Sequence, residues 1–153
     1  MSIAYRVQDY IAEHDLPWDP VAHRISNSCM EAARFADIPP DRLAKAVVLE
    51  DRNGYVVAVI AANHRIDLSD LAEQLHRDLY LANERELQEL FSDCAPGAVP
   101  PVGEAYGIPT VWEESLADKP DVYFEGGDHH TLVHMSGPHF CELMRSARPL
   151  GQH

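Results

Sequence analysis

The sequence predicts a mixed α/β fold in which a largely antiparallel sheet is flanked by helices, and we expect residues 1–153 to form one domain. A hairpin pattern lies near the middle of the chain, where Asn53-Gly54 joins two strand-like segments. Segments with apolar residues at helical spacing lie before and after this hairpin. The 153 residues show no internal repeat or linker and are enough to bury a single core.

Two helices are predicted before the hairpin. The first is an N-terminal helical extension over about residues 1–14 that ends before Pro17, and its apolar residues recur at helical spacing: Ile3, Val7, Tyr10 and Ile11. The second begins after Ser28, which stands three residues before Glu31 as in a capping box, and Pro39-Pro40 ends it.

The hairpin itself consists of a strand from Ala44 to Glu50, a turn over residues 51–54 and a strand from Tyr55 to Ala61. Asn-Gly supplies the positive φ angles that a tight hairpin turn requires. The second strand is apolar toward both sides of a sheet, so we expect a central strand that is covered on both faces.

Two further helices follow the hairpin. One begins near Ser69 and has a set of apolar residues at helical spacing: Leu71, Ala72, Leu75 and Leu79. The other begins after Asn83, with Glu86 in the capping-box position, and its apolar residues are Leu87, Leu90 and Phe91.

The segment from Ser92 to Pro109 has neither a helix nor a strand period and is rich in proline, glycine and small residues. A loop of this length inside a domain is usually functional or disordered, and its apolar residues argue against disorder. Strands are predicted beyond it over Pro109–Glu113, Asp121–Glu125 and Thr131–Met135, with a turn at residues 126–128. Ser136 is expected to cap a final helix that contains Phe140, Leu143 and Met144.

The charge balance limits the partners. The net charge is −13, and no block of lysine and arginine is present, whereas proteins that grip nucleic acid by its phosphates usually have a basic stripe. We therefore expect no DNA partner, and contact with at most a terminal nucleotide or two if the substrate is RNA. The sequence has no apolar run long enough for a membrane helix, no signal-peptide order of residues and an odd number of cysteines, which together indicate a cytoplasmic protein.

Lys45 is the first candidate for chemistry. It shares a strand face with Val47 and Leu49, and an ammonium group on an apolar face is costly unless it finds a partner. Its stem can bend toward water, or its amine can hold a carbonyl or phosphate oxygen beside a pocket. The residues alone leave both interpretations open.

The loop around Gly97 is the second candidate. A glycine allows backbone N–H groups to face a ligand, and the flanking prolines stiffen the loop. Such donors stabilise the oxyanion of an attacked ester, and one donor is typically worth about 10²–10³ in rate. The alternative is an ordinary structural loop.

The histidines near the C-terminus suggest a metal site, but weakly. His130 and His134 share a face of a predicted strand and lie far apart for two ligands of one ion, and no HExxH or paired-cysteine motif is present. We expect no metal and no other cofactor, and one histidine at a pocket rim. GxSxG, Walker and GxGxxG motifs are also absent, and neither Cys29 nor Cys94 has a base beside it in the sequence.

Taken together, these segments resemble the YbaK-like family, which includes the editing domain of prolyl-tRNA synthetase and its free-standing relatives. The resemblance extends from about His23 to Ala147. Residues 28–33 resemble the family's early helix, and residues 43–49 resemble the strand that bears its characteristic lysine. Gly97 and Pro101 stand in the defining places of its Gly-x-x-x-Pro loop, and residues 126–130 stand where the family has a late turn.

The resemblance implies a trans-acting deacylase that hydrolyses the ester of a small mischarged amino acid, alanine or cysteine, on a proline tRNA. The expected catalytic residues are Lys45, Gly97 and His130, and the expected substrate-binding residues are Ala98, Val99, Pro101, Gly127 and His129. Because His129 and His130 are adjacent, the sequence leaves open which of them faces the pocket.

The expected partners are the 3′ end of an aminoacyl-tRNA and a prolyl-tRNA synthetase. Two alternatives remain from the sequence. The acidic composition and the lack of a catalytic triad would suit a non-catalytic module that recruits a synthetase or a nucleotide. The histidines would suit a metal-dependent hydrolase.

Overall fold

The computed structural model describes residues 3–151, so the outermost residues of the expected 1–14 extension and 1–153 domain lie outside the described part. Within residues 3–151 there are five α-helices: α1 (Tyr5–Glu13), α2 (Cys29–Ala36), α3 (Leu68–Leu75), α4 (Glu84–Leu90) and α5 (Gly137–Leu143). The same range contains eight strands: β1 (Asp19–Ala22), β2 (Leu43–Asp51), β3 (Gly54–Ala61), β4 (Tyr80–Leu81), β5 (Thr110–Trp112), β6 (Asp121–Glu125), β7 (Thr131–Ser136) and β8 (Arg148–Pro149). None of the helices in this range is long and apolar enough to span a bilayer.

The strands form one mixed sheet in the order β1-β7-β6-β2-β3-β5-β8, with β4 also paired to β2. The β1–β7, β2–β3, β2–β4 and β6–β7 pairs are antiparallel. The β2–β6, β3–β5 and β5–β8 pairs are parallel and short. The predicted fold class, a mixed and largely antiparallel sheet flanked by helices, is confirmed.

Side chains alternate between the two faces of the sheet, and each face has its own helices. Val7 and Ile11 of α1 and Phe140 of α5 pack with alternate residues of the central strands in the largest apolar cluster. On the opposite face, Leu71 of α3 packs against one part of the sheet and Ala32 of α2 against another. Strand β3 is buried from Val56 to Ala61, so its predicted position as a central strand covered on both faces is confirmed.

The helix starts follow the predicted caps with one correction. The side chain of Ser28 accepts the N–H of Glu31 at the start of α2, but the Glu31 carboxylate accepts the N–H of Asn27 instead of completing the box. Helix α3 begins at Leu68, one residue from the predicted start near Ser69, and Asp67 caps it. The full capping box predicted for α4 is present between Asn83 and Glu86.

The sequence analysis missed β1, β4 and β8. These strands have only two to four residues, too few for a period to be visible. Pro20 and Pro149 also mask the two strands at the ends of the sheet, where a missing N–H is tolerated because one edge faces no partner. The long loop before β5 contains a 3₁₀ turn at Gly103–Tyr106 that the sequence analysis did not predict.

The arrangement around β2 creates an opening in the sheet. One edge of β2 pairs with β3 along its whole length. Its other edge pairs with β6 only at Leu43 and Ala44 and with β4 only at Leu49 and Glu50. The middle of β2 therefore borders no strand among the described residues on that edge, and a cavity lies there.

Candidate active site

A cavity of about 150 Å³ lies at the opening beside β2. We name it the β2 pocket. It is lined by side chains of β2, by the ends of β6 and β7, by the start of α2 and by the glycine loop: Ser26, Asn27, Ser28, Cys29, Ala32, Leu43, Ala46, Val48, Leu87, Gly97, Val99, Glu125, His129 and Leu132. Its wall is thus largely apolar, with a few polar groups that converge on it, as in most small-molecule sites.

The glycine loop presents backbone donors to the β2 pocket. Gly97 has a φ of +79°, a conformation that suits glycine. The N–H of Ala98 donates to the carbonyl of Ala95 and closes the turn. Within residues 3–151, the N–H groups of Gly97 and Val99 have no hydrogen-bond partner. The donors that remain available to a ligand are therefore those of Gly97 and Val99, not that of Ala98.

Glu125, which the sequence analysis did not select, is the buried carboxylate of the β2 pocket. Its side chain lies at the end of β6, and the residue is 9% exposed. One of its oxygens, Oε2, accepts the N–H groups of Gly127 at 2.7 Å, Asp128 at 3.1 Å and His129 at 3.2 Å. The charge of a single carboxylate thus holds the whole turn between β6 and β7. The signal in the sequence that could have identified Glu125 was an acidic residue at the end of a predicted strand, directly before Gly126-Gly127.

His129 lines the pocket in a left-handed backbone conformation, with a φ of +69°. Three bonds fix it: its N–H donates to Glu125, its carbonyl accepts the N–H of Ser26, and its Nε2 lies 2.6 Å from the carbonyl oxygen of Pro96. Because a carbonyl only accepts, Nε2 must bear a proton, and in the neutral ring Nδ1 is the acceptor. Backbone strain of this kind persists where neighbours over-determine it, commonly at functional sites.

His130 lies outside the lining of the β2 pocket. Its ring nitrogen Nε2 is 3.6 Å from the carboxylate of Asp128, and its N–H donates to the same side chain. Its carbonyl accepts the N–H of His23. Of the two adjacent histidines, His129 is the one at the pocket, and His130 contacts the neighbouring turn.

Lys45 is held beside the pocket and does not line it. Its ammonium donates to the carbonyl oxygens of His64 at 2.6 Å and Ala62 at 3.3 Å, just beyond the end of β3. Because β2 alternates, Lys45 lies on the face opposite Ala46 and Val48 and on the same face as Leu43, and all three of these neighbours line the pocket whereas Lys45 does not. A lysine ammonium has three donors, so one remains after these two bonds.

Cys29 connects Lys45 electrostatically with the pocket. Burial, and to a smaller extent the charge of Glu125, raise the pKa of the Cys29 thiol to about 11, and the charge of Lys45 opposes both. Cys29 lines the β2 pocket at the first residue of α2. The ammonium of Lys45 and the carboxylate of Glu125 therefore both act on the same corner of the cavity.

The N-terminal segment supports the turn that contains His129. The N–H of Ala4 donates to the carbonyl of Gly126 at 2.9 Å, and a side chain at Gly127 would lie 3.1 Å from the Cβ of Ala4. Gly127 also has a φ of +125° and accepts the N–H of Ala95 through its carbonyl. Gly127 therefore links the N-terminal segment to the glycine loop without lining the pocket itself.

The remaining predicted site residues, Ala98 and Pro101, belong to the glycine loop but do not line the β2 pocket. Both residues are buried. The described residues contain no group of three histidine, cysteine or acidic side chains that could hold a metal ion. His134, one of the histidines that suggested such a site, lies between the carboxylates of Asp19 and Asp121.

The sequence is similar to proteins of a known family. A family model described as an aminoacyl-tRNA editing domain matches residues 23–143. A proline–tRNA ligase of Xanthomonas axonopodis pv. citri is 28% identical over 118 residues, which are 76% of this chain and 20% of the ligase. The chain thus spans about a fifth of the length of that relative.

Two solved structures are similar along almost the whole chain. The crystal structure of a candidate trans-editing enzyme for prolyl-tRNA synthetase has a TM-score of 0.78 and 24% identity, covering 95% of this chain and 93% of that one. The crystal structure of a hypothetical protein has a TM-score of 0.81 and 23% identity, covering 94% of this chain and 97% of that one. At these identities the likeness shows a shared fold.

Proposed function

The chain belongs to the aminoacyl-tRNA editing domain family, and from that premise we propose that it is a trans-acting deacylase for a small mischarged amino acid, alanine or cysteine, on a proline tRNA. The observation that supports this proposal is the β2 pocket, a small and largely apolar cavity lined by His129, Glu125 and two residues, Gly97 and Val99, whose N–H groups have no hydrogen-bond partner within residues 3–151.

The size of the β2 pocket favours a small amino acid. Its volume of about 150 Å³ is below the roughly 300 Å³ at which sites for drug-sized ligands begin. A synthetase pocket discriminates poorly against a substrate that lacks a methylene, since that group is worth only about 1–3 kcal/mol. A second pocket that admits only the smaller side chain, and hydrolyses its ester, corrects the error.

The reaction adds water across the ester. The water oxygen attacks the ester carbonyl carbon, the bond to the terminal ribose oxygen breaks, and that oxygen takes up a proton. In our proposal the N–H groups of Gly97 and Val99 hold the oxyanion that develops on the carbonyl oxygen. Nδ1 of His129 is the acceptor that orients the attacking water or a ribose hydroxyl, because Nε2 is committed to Pro96.

Lys45 has an anchoring role in this proposal. Its third N–H is available for a phosphate or carbonyl oxygen of the substrate, while the carbonyls of Ala62 and His64 hold the other two. Gly127 and Pro101 keep the loops in place. His130, which we expected to be catalytic, contacts Asp128 instead, so we assign the histidine role to His129.

The test is deacylation of a panel of radiolabelled aminoacyl-tRNAs by the purified chain. We expect hydrolysis of alanine or cysteine on a proline tRNA, and its loss in Lys45→Ala and His129→Ala with folding intact. His130→Ala is the matched control and should retain most of the rate. If the wild type hydrolyses no member of the panel, or if Lys45→Ala and His129→Ala keep the full rate, the proposal is wrong.

A non-catalytic binding module is the second candidate. It is favoured by the ammonium of Lys45, which is bonded to two carbonyls of its own chain instead of lining the cavity. A stable complex with a prolyl-tRNA synthetase, together with no hydrolysis of any aminoacyl-tRNA, would establish this module in place of the enzyme.

A further inference from the structure

A basic and aromatic surface lies on α2 and on the segment that precedes it, both of which contribute residues to the wall of the β2 pocket. The guanidinium carbon of Arg24 is 3.9 Å from the centroid of the Phe35 ring, and that of Arg34 is 5.2 Å from the same centroid. The segment that contains Arg24 continues directly into Ser26, which lines the pocket. We name this the arginine surface and define it by Arg24, Ile25, Met30, Arg34 and Phe35.

The two arginines are available to an anion. Arg24 is exposed, and within residues 3–151 it has no carboxylate partner. The nearest carboxylate to Arg34 is that of Glu31, at 3.9 Å, and the Arg34 side chain is 72% exposed. Glu31 is also engaged with the N–H of Asn27, so its charge is shared between two contacts. Two positive charges therefore lie on the elements that form one wall of the pocket, in a chain whose net charge is −13.

Exposed apolar side chains complete the surface. Ile25 is 71% exposed and Met30 is 48% exposed, although both are large apolar residues that usually avoid water. Unpaired nucleobases stack on guanidinium planes and on aromatic and apolar side chains, while phosphates pair with the charges. A guanidinium already stacked on a ring also loses less freedom on binding than a free side chain does.

Helix α2 adds a contribution from its backbone. It begins at Cys29 in the pocket wall, and the first N–H groups of a helix have no partner within the helix. The positive end of its dipole therefore lies at the pocket, and Arg34 lies in the last turn of the same helix, where a basic side chain also complements the helix dipole. The charge of this face is opposite to that of the protein as a whole, which favours a polyanion that touches the protein only here.

We propose that the arginine surface binds the last unpaired nucleotides of an RNA whose 3′ end enters the β2 pocket. This inference rests on the proposed function, because it assigns the contacts of the same substrate outside the cavity. The guanidiniums of Arg24 and Arg34 pair with phosphates, and a base stacks over Ile25 and Met30. The acidic remainder of the protein keeps the rest of the RNA at a distance.

The direct test is binding of a fluorescently labelled, uncharged RNA hairpin that ends in an unpaired CCA. The Arg24→Glu/Arg34→Glu double variant should bind about tenfold more weakly or worse, and its salt dependence should fall by about 1.4, since each single-strand phosphate contact contributes about 0.7. Arg52→Glu/Arg145→Glu has the same net charge but exchanges exposed arginines elsewhere, and it should lose less than about threefold. Phe35→Leu, which keeps an apolar side chain, should weaken binding to an intermediate degree.

Hydrolysis separates this inference from the proposed function. On aminoacyl-tRNA, the double variant should raise KM and leave kcat unchanged, and on an aminoacyl-adenosine ester it should match the wild type. Equal weakening by both double variants, or no RNA binding by the wild type, would overturn the arginine surface. Absence of hydrolysis with RNA binding that still depends on Arg24 and Arg34 would sink the deacylase and retain the surface.

Discussion

Two of the cavities beside the sheet differ in size, in the residues that line them and in charge. The β2 pocket has a volume of about 150 Å³, whereas a groove between α3 and the β3–β5 side of the sheet has about 680 Å³. We name the latter the acidic groove, because its lining includes Asp67, Asp70, Glu113 and Glu114 with Arg65 as a counter-charge. A site search guided by volume alone would select the groove.

The polar groups of the two cavities are used in different ways. In the acidic groove, Glu113 accepts the N–H of Ala61 and pairs with His64, so it serves the fold. In the β2 pocket, Glu125 likewise accepts backbone N–H groups, but the turn that it holds brings His129 against the glycine loop and leaves two donors unpartnered. The comparison teaches that unpartnered, pre-positioned groups identify a site better than its volume does.

The largest effect that we expect comes from the glycine loop. Gly97→Ala places a Cβ at a φ of +79°, which strains the loop that contains the backbone donors, while the Cβ itself would be in ordinary contact with the His129 ring at about 3.7 Å. Loss of one such donor corresponds to about 10²–10³ in rate. The measurement is kcat for deacylation, alongside the melting temperature.

Gly107→Ala is the matched control for this substitution. Gly107 has a similar φ of +71°, but nothing lies within 4 Å of an added Cβ. Both variants should lose a similar amount of stability, about 1–2 kcal/mol from the left-handed conformation. If the Gly107 variant loses as much activity as the Gly97 variant, backbone strain rather than the pocket explains the effect.

A smaller effect is expected for Glu125, at the end of β6, and for Glu113, directly after β5. Glu125→Gln removes the charge that three N–H groups share, and we expect about tenfold to a hundredfold lower kcat, since the turn with His129 relaxes. Glu113→Gln makes the same change in the acidic groove. It should reduce stability by a comparable amount, about 1–3 kcal/mol, and leave kcat within about twofold.

The comparison between the glutamates has a clear contrary outcome. Equal losses of kcat in the two variants, measured at the same folded fraction, would mean that the groove participates in the reaction or that stability alone sets the rate. Either result would remove the distinction between the two cavities.

The parts of the structure that could be predicted from sequence are those set by local chemistry. The Asn53-Gly54 hairpin, the Ser28 and Asn83 caps and the both-sides-buried β3 depend on residues close in the chain. Likewise, Gly97 could be singled out because a positive φ and bare backbone are properties of one residue.

The parts that could not be predicted depend on contacts between distant residues. The role of Glu125 could not be recognised from the sequence, because it depends on the turn after β6 folding back onto its carboxylate. Ser26 is likewise positioned by a distant residue, since its N–H donates to the carbonyl of His129 about a hundred residues away. The position of Lys45 off the pocket follows from where β3 ends, which brings two carbonyls to its amine. Strands β1, β4 and β8 form only because the sheet offers them an edge.

The free energy of unfolding should depend moderately on pH through His134, which lies on the pocket side of the sheet. Burial lowers the pKa of His134, but its hydrogen bonds with Asp121 and Asp19 outweigh burial and raise that pKa above its ordinary value. His134 thereby ties β1, β7 and β6, which include the strands that hold Glu125 and Leu132. The stabilisation is fully present below the unfolded pKa of about 6.5 and is lost as pH rises through the folded pKa.

Chemical denaturation at several pH values measures this effect. The difference in free energy of unfolding between wild type and His134→Gln should be largest in mild acid and should shrink toward alkaline pH. Asp19→Asn should reduce the difference in part, because one of two carboxylates remains. A difference that grows with pH would contradict the assignment.

The smallest effect concerns the thiol in the β2 pocket. With a pKa of about 11, Cys29 is a thiolate in only about one molecule in a thousand at pH 8, so it should not act as the nucleophile. Cys29→Ala should keep kcat within about threefold, the change expected from altered packing alone. Iodoacetamide should modify the exposed Cys141 and spare Cys29, and Cys94, whose pKa burial raises to about 12, should be spared as well. Rapid modification of Cys29 with parallel loss of activity would instead indicate that the Cys29 thiol takes part in the reaction. The unpartnered backbone donors of the β2 pocket would then no longer explain why the reaction takes place there and not in the acidic groove.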